Sequence, residues 1–119
     1  MSAKRLSSWG KWQQTRNTLS TSLALNVAAR NGSAPGSAEE GQLNRNINKT
    51  LEDMQEHALN GLRMVDLAIT DQNLVSTIKI ASEAAKREAD RLKNATASVN
   101  KLTGFVTQLT QLVGLFTRL

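Results

Sequence analysis

The 119-residue chain has no Cys and no Tyr, one Pro, one His, two Trp and two Phe. The absence of Cys excludes disulfides, thiolate zinc sites and cysteine nucleophiles. A single His excludes metal motifs that need two His ligands. The scarcity of aromatic residues argues against a compact all-β domain, because strands favour aromatic and β-branched side chains. The length is that of a single domain.

Charge is distributed unevenly along the chain, whose net charge is +5. Residues 1–30 carry five basic residues and no acidic one, residues 31–70 sum to −3, and residues 71–119 sum to +3. Residues 102–117 carry no charge. This asymmetry predicts different neighbours for different parts of the chain.

Residues 31–41 are typical of a flexible linker, since they hold three Gly, two Ser and the only Pro. Before this linker, apolar residues recur at helical spacings and predict an amphipathic helix over residues 5–30. The members of that pattern are Leu6, Trp9, Trp12, Leu19, Leu23 and Val27. We therefore expect a separate basic N-terminal helix on residues 1–30.

After the linker, two further apolar patterns predict helices over residues 42–69 and 74–118. The first consists of Leu43, Ile47, Leu51, Met54, Ala58, Leu62, Val65 and Ile69. The second alternates spacings of four and three without interruption, which is typical of coiled-coil packing. Its thirteen positions are Leu74, Ile78, Ala81, Ala85, Glu88, Leu92, Ala95, Val99, Leu102, Val106, Leu109, Val113 and Phe116.

The phase of the apolar pattern shifts near residue 70. A tight hairpin explains this shift, and so does one continuous helix with a stutter. We favour the hairpin. The predicted fold is therefore all-α, with a long helical hairpin or coiled coil over residues 42–119, a long heptad-repeat helix at its C-terminal end, and the separate N-terminal helix.

In such a hairpin the last helix extends beyond its partner, and its apolar face broadens there. Exposed apolar stripes of this size mark interaction surfaces, and a covering by the N-terminal helix is the alternative. We predict an oligomer interface formed by Val99, Leu102, Phe105, Val106, Leu109, Leu112, Val113 and Phe116. A second stripe, opposite this one, contains Thr103, Thr107, Thr110, Gly114 and Thr117.

The predicted function is non-enzymatic self-assembly as a helical structural or scaffold protein, with the chain itself as partner. No phosphate loop, nucleophile elbow or metal motif occurs, so we expect no cofactor, no metal and no catalysis. His57, between Asp53 and Asn60, is interpreted as a surface residue. The composition, Cys-free and rich in Asn, Gln, Ser and Thr, is similar to that of self-assembling axial proteins of bacterial surface filaments, which implies the same kind of assembly.

Two other functions stay open. The acid-free segment that carries Trp9 and Trp12 is typical of helices that contact an anionic membrane surface, although both Trp side chains are also suited to packing against the other helices. The predicted contact residues are Lys4, Arg5, Trp9, Lys11, Trp12 and Arg16. Alternatively, the chain is a helical adaptor or chaperone that docks on another protein.

The compartment is not predicted. Residues 19–29 contain Ser, Thr and Asn and do not form a cleavable secretory signal, so a membrane-peripheral place and export without a cleaved signal, as in a secretion-system component, stay open. Basic residues of the third helix alternate with acidic ones, so we expect no nucleic-acid partner.

Overall fold

A computed structural model describes residues 3–119, with side chains from Ser8 onward. These residues form four helices and no strand, which confirms the all-α prediction. The helices are α1 (Ala3–Asn31), α2 (Ala38–Met64), α3 (Gln72–Lys93) and α4 (Val99–Thr117). They pack into a bundle that measures 50 × 24 × 17 Å.

Helix α1 is part of this bundle and packs against each of the other three helices. Helices α2 and α3 both contact α1 and α4, but they do not contact each other within residues 3–119. Contacts between α1 and α2 pair Trp12 with His57 and Asn26 with Asn46, so these helices are antiparallel. Helices α2 and α4 are parallel neighbours, because Asn46 meets Thr103 and Asn60 meets Thr117.

Hydrogen bonds to the side chains of Ser37, the N-cap residue, and Glu40 fix the start of α2. The Ser37 hydroxyl accepts a hydrogen bond from the Glu40 backbone N–H at 3.1 Å, and the Glu40 carboxylate accepts one from the Gly36 N–H at 3.1 Å. Gly36 has a φ of 76°, which favours glycine. The predicted linker over 31–41 is therefore shorter, and α2 begins and ends several residues before the predicted bounds of 42 and 69.

The prediction of one helix over residues 74–118 is wrong. Helix α3 ends at Lys93, and Ser98 caps α4 by accepting a hydrogen bond from the Lys101 N–H at 3.2 Å. The intervening residues include Asn94, Thr96 and Ser98, which are weak helix formers. The apolar repeat continues without interruption because its positions lie on the core-facing sides of two antiparallel helices, α3 and α4.

The predicted pairing of the second and third helices is also wrong, because the hairpin is formed by α3 and α4. The connection over residues 65–71 crosses from α2 to the diagonally placed α3. It ends at Asp71, whose carboxylate accepts a hydrogen bond from the Leu74 N–H at 3.0 Å. Asp is a favoured N-cap residue, which explains why α3 begins after Asp71. The connecting segment contains neither Gly nor Pro, so its composition did not indicate how many residues lie between α2 and α3.

Candidate interaction surface

Helix α2 buries an unusual number of polar side chains and exposes several large apolar ones. Its buried positions include Asn46, Thr50, Asp53, His57 and Asn60. The exposed fractions of its apolar side chains are 48% for Leu51, 61% for Leu59 and 73% for Leu62, and Val65, the residue that follows the helix, is 52% exposed. Together with the exposed Ala58, these four residues form what we call the α2 stripe.

The apolar line that predicted this helix is only partly buried. Leu43 and Ile47 of that line are buried, whereas Leu51, Leu62 and Val65 are not. A helix with its apolar side outward leaves a contiguous apolar surface in water, which is typical of a binding surface.

The buried polar side chains of α2 form hydrogen bonds with the threonine stripe of α4. Asn46 donates to the Thr103 hydroxyl at 3.0 Å, and Asn60 donates to the Thr117 hydroxyl at 2.9 Å. Between them, the Thr110 hydroxyl donates to the Asp53 carboxylate. We call these three bonds the polar ladder; its residues recur every seven positions on both helices.

Asp53 carries the only ionisable group of the polar ladder. Burial raises the pKa of its carboxyl above the usual value, and this effect outweighs the opposing hydrogen bond from Thr110 and the positive charge of Lys49. The Lys49 Nζ lies 3.5 Å from the Asp53 carboxylate. The partly exposed Lys49 ammonium therefore compensates part of the negative charge of the buried Asp53 carboxylate.

Helix α1 meets the inward side of α2 with polar residues as well. Asn46 donates to the Asn26 side-chain carbonyl at 3.0 Å, and the Ser22 and Thr50 hydroxyls lie 3.3 Å apart. Buried polar groups cost free energy unless they are hydrogen-bonded. The polar sides of α1, α2 and α4 therefore stabilise one another, and this pairing explains why α2 turns its apolar side outward.

At one end of this polar layer, Trp12 and His57 bind each other's backbone. The Trp12 indole donates to the His57 carbonyl at 2.8 Å, and His57 Nε2 donates to the Trp12 carbonyl at 2.9 Å. The two rings are stacked at 4.8 Å, with Trp9 stacked on Trp12 and the Phe116 ring edge on His57. His57 is 1% exposed, so its interpretation as a surface residue is wrong.

Burial lowers the pKa of His57 from 6.5 to about 4. The hydrogen bond to the Trp12 carbonyl opposes this change, and the nearby charge of Arg16 adds to it. The imidazole is therefore neutral at physiological pH. Its Nδ1 atom is buried and has no hydrogen-bond partner among the described residues.

Gly61 makes room for Trp12, which gives a prediction for Gly61→Ala. A Cβ atom at this position would lie 2.5 Å from Trp12 Cζ2, so the indole would have to move away from His57. We expect Gly61→Ala to lower the free energy of unfolding by about 1–3 kcal/mol, measured by urea denaturation.

Gly104→Ala is the matched control, because a Cβ at Gly104 meets no atom within 4 Å. Gly104 lies within α4, where Ala is favoured over Gly by about 0.5–1 kcal/mol. We therefore expect the two substitutions to have opposite signs. Equal stabilities for the two variants would contradict the role assigned to Gly61.

An apolar groove of about 210 Å³ opens between α1 and α2, beside the α2 stripe. Arg16 lies at this groove, with its guanidinium carbon 5.4 Å from the centre of the Trp12 ring. The groove is lined by Trp12, Arg16, Leu19, Met54, His57 and Ala58. Since Ala58 belongs to both, the groove and the stripe form one surface.

The predicted oligomer interface of α4 lies in the core of a single chain. Val99 is partly buried, and the other seven residues are buried: Leu102, Phe105, Val106, Leu109, Leu112, Val113 and Phe116. Other helices of the same chain cover this seam, including α1, as the alternative reading of the sequence expected.

The predicted membrane-contact residues take part in the bundle where their side chains are described. Trp12 is buried, Trp9 is partly buried, and the Lys11 ammonium lies 3.2 Å from the Glu83 carboxylate of α3. Lys4 and Arg5 lie on α1, but their side chains fall outside the described part of the chain. Trp12 packs against His57 and Gly61 of α2, and Trp9 stacks on Trp12 and packs against the hydrophobic core.

Within residues 3–119, no group of three or more Asp, Glu or His side chains is arranged to hold a metal ion. No helix of this range is both long enough and apolar enough to cross a membrane. No family model, curated protein or solved structure matches the chain. Any functional proposal therefore depends on the surface itself.

Proposed function

We propose that the protein is a non-enzymatic structural or scaffold protein that assembles with itself through the α2 stripe. The observation that carries this proposal is the exposure of the α2 stripe while the opposite side of the helix buries hydrogen-bonded polar side chains. The exposed residues are Leu51, Leu59 and Leu62 of α2 and Val65, which follows it.

The α2 stripe has a free-energy reason to be covered. Full burial of a Leu or Val side chain contributes about 1.5–3 kcal/mol relative to exposure. Rotation of α2 within the bundle would bury the stripe, but it would also break the hydrogen bonds of the polar ladder. Association with a second molecule covers the stripe and leaves the ladder intact.

The surface proposed here differs from the α4 seam suggested by the heptad pattern. Covering the α4 seam by a second copy requires the bundle to open, whereas the α2 stripe is accessible in the folded chain. Self-association through α2 therefore needs no refolding.

The test is analytical ultracentrifugation of the full chain over a range of concentrations, with Leu62→Ser as the variant. We expect the wild type to sediment at a multiple of its 13.0 kDa mass and the variant to shift towards the monomer. Removal of one Leu from an interface costs about 1–3 kcal/mol, or roughly 5- to 150-fold in the dissociation constant.

Ile80→Ser is the matched control. Ile80 is 67% exposed but lies on α3, which does not contact α2, so we expect this change to leave association unaltered. A monomeric wild type at the highest soluble concentration would contradict the proposal, and so would equal effects of the two substitutions.

A further inference from the structure

We propose that two copies of the chain also form an exchanged dimer, in which they swap their α3–α4 hairpins and residues 38–93 of each copy become one continuous helix. The exchanged dimer does not use the α2 stripe and therefore goes beyond the proposed function. Two features of the bundle carry this inference: the register of the buried residues, and the order and direction of the helices.

The buried residues of α2 and α3 share one seven-residue register. Every buried residue of the two helices lies on one of three lines, and each line repeats every seven positions. In α2 these residues are Leu43, Thr50, His57 and Met64 on the first line, Asn46, Asp53 and Asn60 on the second, and Ile47 and Gly61 on the third. In α3 they are Ile78, Ala85 and Leu92 on the first line, Leu74 on the second, and Val75, Ser82 and Ala89 on the third.

This register persists across a connection that is not helical in the closed chain. The connection spans residues 65–71, which is one seven-residue repeat. A non-helical connection does not fix the register of the helix that follows it. One continuous helix does require a common register, because the core-facing sides of α2 and α3 must then follow the same lines. The phase shift of the apolar residues near residue 70 is thus a change in the chemistry of the buried side, whose position stays the same.

The connection is also compatible with a helix. Val65 directly follows α2 and keeps the helical dihedral angles φ −57° and ψ −42°. Residues 65–71 contain neither Gly nor Pro, the two residues that most strongly disfavour a helix. In a continuous helix, Leu67, Ala68 and Asp71 would occupy the three lines.

The order of the helices allows the exchange without loss of contacts between the two halves of the bundle. Among the described residues, α2 and α3 contact α1 and α4 but not each other. The α3–α4 hairpin of a second copy can therefore make every contact that the α1–α2 hairpin receives in the closed chain. Exchange of identical elements between copies is a low-cost route to a dimer.

The directions of the helices determine how the two copies are arranged. Helix α2 is parallel to α4, and α3 is antiparallel to α4, so α2 and α3 run in opposite directions through the bundle. Two continuous helices must therefore lie antiparallel to each other for each end to reproduce the bundle. The two-fold axis then passes the middle of the connection, at Ala68.

Ile69 stabilises the closed chain against the exchange. Its side chain is 7% exposed in the closed chain. Position 69 lies on none of the three lines, so a continuous helix would lose this burial. Ile69→Ala removes the burial from the closed chain, and Ala is also the best helix former.

The test uses Leu62→Ser as the background, because this change weakens association through the α2 stripe and residue 62 lies on none of the three lines. Proteins with and without Ile69→Ala are refolded from urea at high concentration and separated by size exclusion. We expect Ile69→Ala to raise the ratio of dimer to monomer about tenfold or more, since each of the two chains loses a buried contact only in its closed form.

Ala68→Pro, added to Ile69→Ala, tests whether the connection becomes helical. Ala68 is exposed and lies outside the helices of the closed chain, whereas Pro in a helix interior removes a hydrogen bond and clashes with the preceding turn. We expect the dimer to disappear in this variant. A dimer that persists with Pro at this position would overturn the continuous helix.

Pulsed electron paramagnetic resonance measures the extension of the chain directly. Spin labels are attached through Glu56→Cys and Arg87→Cys, two exposed positions in a chain without native Cys. Labelled chains are refolded with an excess of unlabelled chains, so that only distances within one chain contribute. In the continuous helix the two positions are about 46 Å apart, from 31 residues at about 1.5 Å each. In the closed chain they lie side by side within a cross-section of 24 × 17 Å.

A dimer with only the short distance would overturn the exchange, and so would the absence of any dimer from the Ile69→Ala variant. Failure of the proposed function has a different signature, which is equal sedimentation of the wild type and Leu62→Ser without refolding. Either proposal can therefore fail while the other stands.

Discussion

Leu109→Asp should unfold the bundle. Leu109 is 1% exposed and lies in the core between α4 and its neighbours. An Asp at this position would bury a carboxylate without a partner and would also remove the packing of the Leu side chain. We expect a loss of about 4–5 kcal/mol or more in the free energy of unfolding, which is comparable to the whole stability of a small domain. Circular dichroism and thermal denaturation measure this loss.

Leu62→Asp is the control for this experiment, because it makes the same chemical change at a side chain that is 73% exposed. We expect the helical content and the melting temperature of the monomer to stay close to those of the wild type, while self-association weakens. The opposite outcome is a Leu109→Asp chain that folds but fails to associate. It would support the α4 seam, instead of the α2 stripe, as the interface between copies of the chain.

Acidification should destabilise the protein between pH 6.5 and about 4 through His57. The folded state lowers the pKa of this imidazole from 6.5 to about 4, so the unfolded chain binds more protons over that range. Stability from this group is therefore fully present above pH 6.5 and is lost as the pH falls towards 4. The difference in pKa corresponds to at most about 3 kcal/mol.

Asp53 has the opposite effect on the pH dependence of stability, because its pKa is raised in the folded state. Its contribution to stability is present below pH 3.8 and is lost as the pH rises through its folded-state pKa.

Urea denaturation at a series of pH values, for the wild type and for His57→Gln, isolates the contribution of the histidine. We expect the variant to be less stable at pH 7 but to lose less stability between pH 6.5 and 4. Parallel curves for the two proteins would contradict the assignment to His57.

The apolar repeat of residues 74–116 predicted which side of two helices faces the core, but it did not predict where the chain reverses. Asn94, Thr96 and Ser98 weaken the helix only modestly, and the seven-residue period continues on both sides of them. Sequence periodicity reports the orientation of a helix, whereas its end depends on caps such as that of Ser98, which become decisive only when the partner helix is known.

The orientation of α2 was harder to predict for a different reason. Asn46, Asp53 and Asn60 are expected at a surface unless polar partners are available in the core. Those partners, Thr103 and its equivalents, lie 57 residues away in the chain. The signal was present as two polar stripes of equal period, but only the tertiary structure shows that they face each other.

The period of the polar ladder has a consequence for the alignment of α2 and α4. A slide of α4 by seven residues, about 10 Å, would place Thr110 opposite Asn46 and Thr117 opposite Asp53, and two of the three rungs would form again. The ladder alone therefore allows several nearly equivalent alignments. The contacts that do not repeat select one of them: the Phe116 ring against His57, and the bonds from Arg63 to the carbonyls of Phe116 and Thr117.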